Sequence, residues 1–320
     1  MSYMADSGVT ATDHNKKKPI TLPSGCGIGL AFGLTCGFLT YVFGISFNIY
    51  GAITSLNDIF ATIIAVFLIA VVGLIDDINV KSKAVKTTDM MDTRRGLKQW
   101  QKPVLTLIGA IPLMAVNAGI SVIRLPFLGS VNFGVAYPLI IIPLAVIFAS
   151  NSFNLLGGFD GIATGSGLIA SLALLVYSLI YGTYTGALLS GVLFSALLAF
   201  TAFNLYPSKL IPGDSFTYAV GTALVVTMIL GNMEAFGIIV FMPWIIEFLL
   251  HLRRKFNVTD LGKLRKDGTF EPPYGRKIYS WTHVIMNMKK AKEWEVSLYM
   301  WLICIGFVVI AFALKYFALL

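Results

Sequence analysis

The chain has 320 residues and a formal charge of +8, yet only 12% of it is Asp, Glu, Lys or Arg, against roughly 25% in a soluble domain. Hydrophobic residues make up 57%, and mean hydropathy is +0.79. A water-soluble globule cannot hide that much apolar surface, and a disordered chain has the opposite balance, so the sequence reads as a polytopic membrane protein.

In chain order, the first 24 residues carry Lys16, Lys17 and Lys18 but no apolar core, so no signal peptide is expected. A bilayer core of ~30 Å needs roughly 20 apolar residues per helix. Nine stretches qualify: 25–48, 57–75, 103–119, 135–152, 161–181, 184–205, 215–232, 235–251 and 296–318. The third is short and holds Pro112; the fifth is rich in Gly, which favours close helix contacts. Between the third and fourth, residues 120–134 alternate weakly, as a small hairpin would. Cys26, Cys36 and Cys304 are odd in number and form no CxxC pair, so neither a disulfide framework nor a zinc site is supported. The expected fold is an all-α transmembrane bundle. Residues 1–24 form a cytoplasmic segment, 25–320 a single transmembrane domain, and about 252–295 a basic loop.

Orientation follows from the cations. With the N-terminus cytoplasmic, every Lys and Arg of the 24 except Arg124 and Lys315 falls on the cytoplasmic side, as the positive-inside rule requires. The polar candidates share that side: Asp76 and Asp77 after span two, Asn151, Asn154 and Asp160 after span four, Asp214 after span six, and the loop from His251 after span eight. A channel or alternating-access transporter would place such groups near the bilayer midplane instead.

Four motifs carry the candidates. In GLIDDINVKSK (73–83) the adjacent carboxylates repel unless a cation sits between them, and a Lys or a hard divalent ion would serve. Alone, the pair also reads as an acid-capped helix end. NSFNLLGGFDGIATG (151–165) combines amide and carboxylate oxygens with glycines that permit close approach to a ligand; a Gly-rich helix hairpin is the equal alternative. In NLYPSKLIPGDSFTYAVG (204–221), a lone GDS reads first as an N-cap by Asp214. The region 251–290 is long and basic. Arg forks suit phosphates, while topology and anionic lipid explain most of its cations. Of the intramembrane acids, Asp58 and Glu234 lie near the outer boundary. Glu247 stands one turn before His251 and can share its face. Together these groups describe oxygen ligands for a metal, cations for phosphates and apolar walls for a lipid tail.

The order and spacing of GLIDD, NSFNLLGGFDG and PGDSFTY resemble the polyprenyl-phosphate N-acetylhexosamine-1-phosphate transferase family of glycosyltransferase 4 type. NLYPSKLIPGDSFTYAVG and HLRRKFNVTDLGKL look most like its eukaryotic and archaeal dolichol branch. The resemblance implies transfer of GlcNAc-1-phosphate from UDP-GlcNAc to dolichyl phosphate, giving GlcNAc-diphospho-dolichol and UMP. Mg²⁺ is the implied cofactor, with Mn²⁺ as the alternative ion. Catalytic roles fall on Asp76, Asp77 and Lys102, and metal binding on Asn154 and Asp214. Donor binding falls on Gly158, Asp160, His251, Arg253 and Arg254, with Asp160 against the uracil. The implied partners are the sugar nucleotide, the lipid phosphate and membrane lipid; a homodimer is compatible, and no nucleic acid is implied. Compact loops suit an archaeal plasma membrane; in a eukaryote the same chain would sit in the endoplasmic reticulum with its site facing the cytosol. The alternatives are another UDP-N-acetylhexosamine donor, an inactive homologue and a lipid-phosphate transporter. The departures are Gly157 where the family pattern has its first Asp, an insertion between Asp77 and Lys102, and nine spans where the family usually has ten.

Overall fold

Helices dominate because lipid leaves a spanning backbone no hydrogen-bond partner but itself. The computed structural model describes residues 6, 9–13, 15–16, 20–47, 54–78, 85–86, 92–93, 97–125 and 129–317. The 79–83 part of the first motif and the lysines at 17 and 18 lie outside them. Helix α1 is Gly27–Ser46 and α2 is Leu56–Ile78. Helix α3, Gln101–Thr106, passes through a 3-10 turn, Leu107–Ala110, into α4, Ile111–Ala115. A π turn, Tyr137–Ile141, leads into α5, Ile142–Asn154. Helices α6 (Ile162–Tyr181), α7 (Tyr184–Asn204) and α8 (Gly213–Leu230) follow. The remaining helices are α9 (Glu234–Val240), α10 (Met242–Leu252), α11 (Trp281–Met288) and α12 (Glu293–Tyr316).

All nine apolar stretches are helical, but the count of nine spans is corrected. Among the described residues, seven helices are long and apolar enough to cross a membrane, or eight if the bent pair α9–α10 is one span. The third stretch, Gln101–Ala115, is too short; its ladder is interrupted ahead of Pro112, which has no N–H to donate. The α9–α10 pair bends by 59°. Pro243 accounts for the bend, since it cannot bond the carbonyl four residues back. The expected hairpin is present, with Val122–Leu125 paired to Gly129–Asn132. A second hairpin pairs Thr10–Asp13 with Ile20–Pro23. Phe32, Ile64, Leu139, Leu179 and Val309 remain exposed, the outward apolar faces that a lipid solvent requires.

Helix α8 is the centre. Every residue from Ser215 to Leu230 is buried, and α8 packs most extensively on α2 and α5. Glycine brings its neighbours close. A Cβ at Gly27 of α1 would lie 2.1 Å from the Ser215 carbonyl carbon, and one at Gly73 of α2 only 2.4 Å from Ser215 Cα. The obstacle is backbone in both cases, so no rotamer change relieves it. These contacts press the polar end of α2 against the first turn of α8. Gly73→Ala is therefore expected to destabilise by about 1–3 kcal/mol, measured as a lower thermal unfolding midpoint in detergent. An unchanged midpoint would show that α2 can back away freely.

Candidate active site

The close approach of α2 to α8 puts Asp76 and Asp77 beside Asp214. The Asp77 carboxylate accepts from the backbone N–H of Asp214 at 2.8 Å and of Ser215 at 3.0 Å. It satisfies donors that a helix N-terminus leaves free. The expected N-cap role of Asp214 is thus corrected: the cap of α8 comes from Asp77 on another helix, and Asp214 keeps its side chain for other partners. Lys102, in the first turn of α3, bridges the remaining carboxylates, with Nζ 2.7 Å from Asp76 Oδ2 and 3.1 Å from Asp214 Oδ2. Asp76 is only 4% exposed, and its other oxygen accepts from the Leu97 N–H. A lysine of the chain itself thus sits between Asp76 and Asp214, while Asp77, the other member of the adjacent pair, is held by backbone N–H groups. At the end of α5, Asn154 Oδ1 accepts from Thr217 Oγ1, one turn along α8 from Asp214, at 2.6 Å.

This cluster borders a cavity of about 520 Å³. Lys102, Asn154, His251 and Asp260 give it a polar side, and Leu144, Phe148 and Phe248 an apolar one. Asn151 also lines it, but its amide ties α5 to α3 through Thr106 Oγ1 at 2.9 Å. The shared face of Glu247 and His251 is confirmed by a 3.0 Å contact between Glu247 Oε1 and His251 Nε2. Glu247 is fully buried and also accepts from the Trp281 N–H at 2.9 Å. Glu234, towards the other end of the bundle, accepts from Tyr137 OH at 2.6 Å.

Gly158 and Asp160 line a second, smaller cavity of about 190 Å³. Here Lys16 Nζ meets three carboxylates: Asp13 at 3.2 Å, Asp160 at 2.8 Å and Glu293 at 2.7 Å. Burial opposes the charge on Lys16, but its bonds to Asp160 and Glu293 prevail and hold the ammonium above the usual lysine range. Asp13, Asp160 and Glu293 lie close enough to share an ion, but Lys16 already stands among them. Asp160 is heavily engaged: besides Lys16 it accepts from Ser208 Oγ at 2.7 Å and Ser208 N–H at 3.0 Å. The two cavities thus divide the candidates, with Lys102, Asn154 and His251 on one and Gly158 and Asp160 on the other. Arg253 and Arg254 line neither. Both are exposed; Arg253 donates to the Ile278 carbonyl at 3.1 Å and lies over the Tyr279 ring, and Arg254 lies over Tyr274 and Tyr279. Sequence reasoning passed over Thr217, Asp260 and Glu293. Their one signal is proximity to a motif, since Asp260 lies inside the NVTDLGKL run.

The basic loop is ordered by a neutral histidine. His283 Nδ1 accepts from the Tyr279 N–H at 3.2 Å, which leaves Nε2 to donate to the Thr259 carbonyl at 3.0 Å. Burial pushes this imidazole down from 6.5 to about 4. The unfolded chain takes up its proton near the ordinary value and the folded chain only near the depressed one. Stability is therefore complete above pH 6.5 and falls as pH drops towards 4, by up to about 3 kcal/mol. Thermal unfolding followed across this window should show the slope in the wild type and a shallower one in His283→Gln. Equal slopes would remove His283 as the cause.

Acids, an amide and a lysine thus converge at the end of a buried helix in a multi-pass helical bundle, beside a cavity with one apolar side. The chain belongs to glycosyl transferase family 4, which its residues 59–232 match. It is 32% identical to the "Putative UDP-N-acetylglucosamine--dolichyl-phosphate N-acetylglucosaminephosphotransferase" of Sulfolobus acidocaldarius, over 95% of this chain and 87% of that one. The protein of the same name from Saccharolobus solfataricus is 33% identical over the same shares. The phospho-N-acetylmuramoyl-pentapeptide-transferase of Clostridium botulinum (strain Eklund 17B) is 31% identical over 56% of this chain and 53% of its own length.

Proposed function

We propose that this protein transfers GlcNAc-1-phosphate from UDP-GlcNAc to dolichyl phosphate or a related polyprenyl phosphate, releasing UMP as the first step of lipid-linked oligosaccharide assembly. The observation that carries the reading is the Lys102 bridge between Asp76 and Asp214, placed at a cavity with one polar and one apolar side. Family membership and the names of the two relatives that match nearly the whole chain support it. A phospho-N-acetylmuramoyl-pentapeptide-transferase relative, which would imply another UDP-N-acetylhexosamine, also matches 91% of the chain but at 28% identity, against 32% and 33% over 95% for the first two.

In this reading the lipid phosphate oxygen attacks the β-phosphorus of the donor and the bond to UMP breaks. The chain's work is positioning and charge neutralisation. The apolar side, with Leu144, Phe148 and Phe248, receives the first part of the lipid tail. Lys102 neutralises phosphate charge, and Asp76 holds Lys102 in place. Asp77 fixes the start of α8, which aims Asp214. His251, oriented by Glu247, adds a donor for phosphate oxygen. Gly158 and Asp160 shape the smaller cavity for the nucleoside, with Asp160 anchoring its walls. Arg253 and Arg254, exposed on the basic loop, attract the donor by their charge. The hard oxygen donors Asp214 and Asn154 fit Mg²⁺ or Mn²⁺ and would hold it. When bound, the ion supplies charge neutralisation for the donor pyrophosphate. Residues 1–24, the site and the 252–295 loop lie on the cytoplasmic side of the membrane, the plasma membrane of an archaeal cell.

The test uses purified protein in detergent with dolichyl phosphate, Mg²⁺ and UDP-GlcNAc carrying a labelled sugar. Mg²⁺-dependent release of UMP with an equal yield of labelled lipid is expected. UDP-GalNAc and UDP-MurNAc-pentapeptide are compared as donors. Turnover with one of those alone would overturn the sugar assignment, and no UMP with any donor would overturn the activity.

A further inference from the structure

Asp260 stands between the two cavities. It lines the larger one, while its neighbour Leu261 lines the smaller. Its Oδ2 accepts from the Gly158 N–H at 2.7 Å and from the Gly157 N–H at 3.2 Å. Two successive N–H groups turned on one oxygen form an anion-binding nest, and a carboxylate binds them more strongly than a neutral acceptor would. The rest of Asp260 is held from the basic-loop side. Its carbonyl accepts from Thr282 Oγ1, and the Leu261 N–H donates to Thr259 Oγ1 at 3.1 Å. That side is anchored in turn to α10 through the Trp281 N–H on Glu247, the residue that orients His251. The glycine loop and the basic loop, remote in sequence, are thus joined at one carboxylate. The fit is close: a Cβ at Gly158 would lie 2.6 Å from both Asp260 Oδ1 and Leu261 Cδ2.

We propose that Asp260 is a positioning residue for the sugar-nucleotide donor. Its carboxylate holds the Gly157–Gly158 backbone and so sets the spacing between the cavity that receives the phosphates and the one that receives the nucleoside. The identity of the ligand rests on the proposed function; the joint between the loops does not.

Two measurements test this separately. In the first, thermal unfolding without substrate compares the wild type, Asp260→Ala, Gly158→Ala and the double variant. Because both changes break one contact, the double variant is expected to unfold no lower than Gly158→Ala alone. Losses that simply add would overturn the joint. In the second, steady-state UMP release is measured against UDP-GlcNAc at saturating lipid phosphate. Asp260→Ala is expected to raise KM about tenfold, or ~1.4 kcal/mol. Asp260→Asn, which keeps an oxygen acceptor, is expected to raise it less, with kcat within about threefold in both. A fall in kcat with KM unchanged would overturn the positioning role. Absence of turnover in the wild type would refute the proposed function instead; the same order of variants would then be read as UDP affinity by calorimetry, where equal affinities would overturn the inference.

Discussion

Asp214→Asn is expected to lower kcat by about a thousandfold, or ~4 kcal/mol, with KM for the donor changed only a few-fold. The substitution keeps the shape of the side chain and its place on the first turn of α8, where Asp77 holds the Asp214 and Ser215 N–H groups. What it removes is the negative charge facing Lys102 and, in the proposed reading, the charged oxygen that would hold the metal. Charge stabilisation at the reacting centre is commonly the largest single contribution to catalysis, so the loss should fall on turnover. Asp58→Asn is the control. Asp58 lies 18 residues before Asp76 on the same helix, ~27 Å away at 1.5 Å per residue, and the change should leave kcat within about twofold. The measurement is UMP release over a range of Mg²⁺ concentrations. Near-normal turnover of Asp214→Asn would sink the metal assignment.

Lys102→Met should damage folding as well as activity. The ammonium sits 2.7 Å from Asp76 and 3.1 Å from Asp214. Its removal leaves a buried carboxylate without its cation and beside another acid, and breaking a buried pair from one side typically costs about 3 kcal/mol or more. Methionine preserves most of the packing volume, so the loss reports charge rather than a cavity. Adding Asp76→Asn removes the stranded charge. The double variant should therefore regain much of the unfolding midpoint while remaining inactive. Thermal unfolding and UMP release, run on the same three preparations, separate the two effects. If Lys102→Met unfolds like the wild type, the bridge contributes nothing to stability and the account of Asp76 is wrong. Lysine to arginine is not a neutral control here, because the planar fork cannot occupy the same point between two oxygens.

The membrane class, the helical stretches, the hairpin between the third and fourth stretches and the family were legible in the amino-acid sequence. Each depends on local pattern: runs of apolar residues, a weak alternation, and motifs in fixed order. The count of spans was less legible, because Pro112 and Pro243 interrupt hydrogen-bond ladders inside stretches that hydropathy alone treats as continuous. The pairing of Glu247 with His251 was readable because four residues make one helical turn.

Composition and motif order by themselves pointed to a multi-pass membrane protein of glycosyl transferase family 4, with Asp76, Asp77, Asn154 and Asp214 as its candidate oxygens. Only the tertiary structure decided how those oxygens are used. It made Asp77 the cap of α8 and left Asp214 to meet Lys102. It placed Lys16 among three acids and kept Arg253 and Arg254 on half-buried tyrosines. It also drew Asp260 to the glycine loop. The physical reason is that a carboxylate's role depends on which donors surround it. Here those donors come from helices and loops far apart in the chain, brought within hydrogen-bond distance by close glycine contacts and by the packing of buried α8.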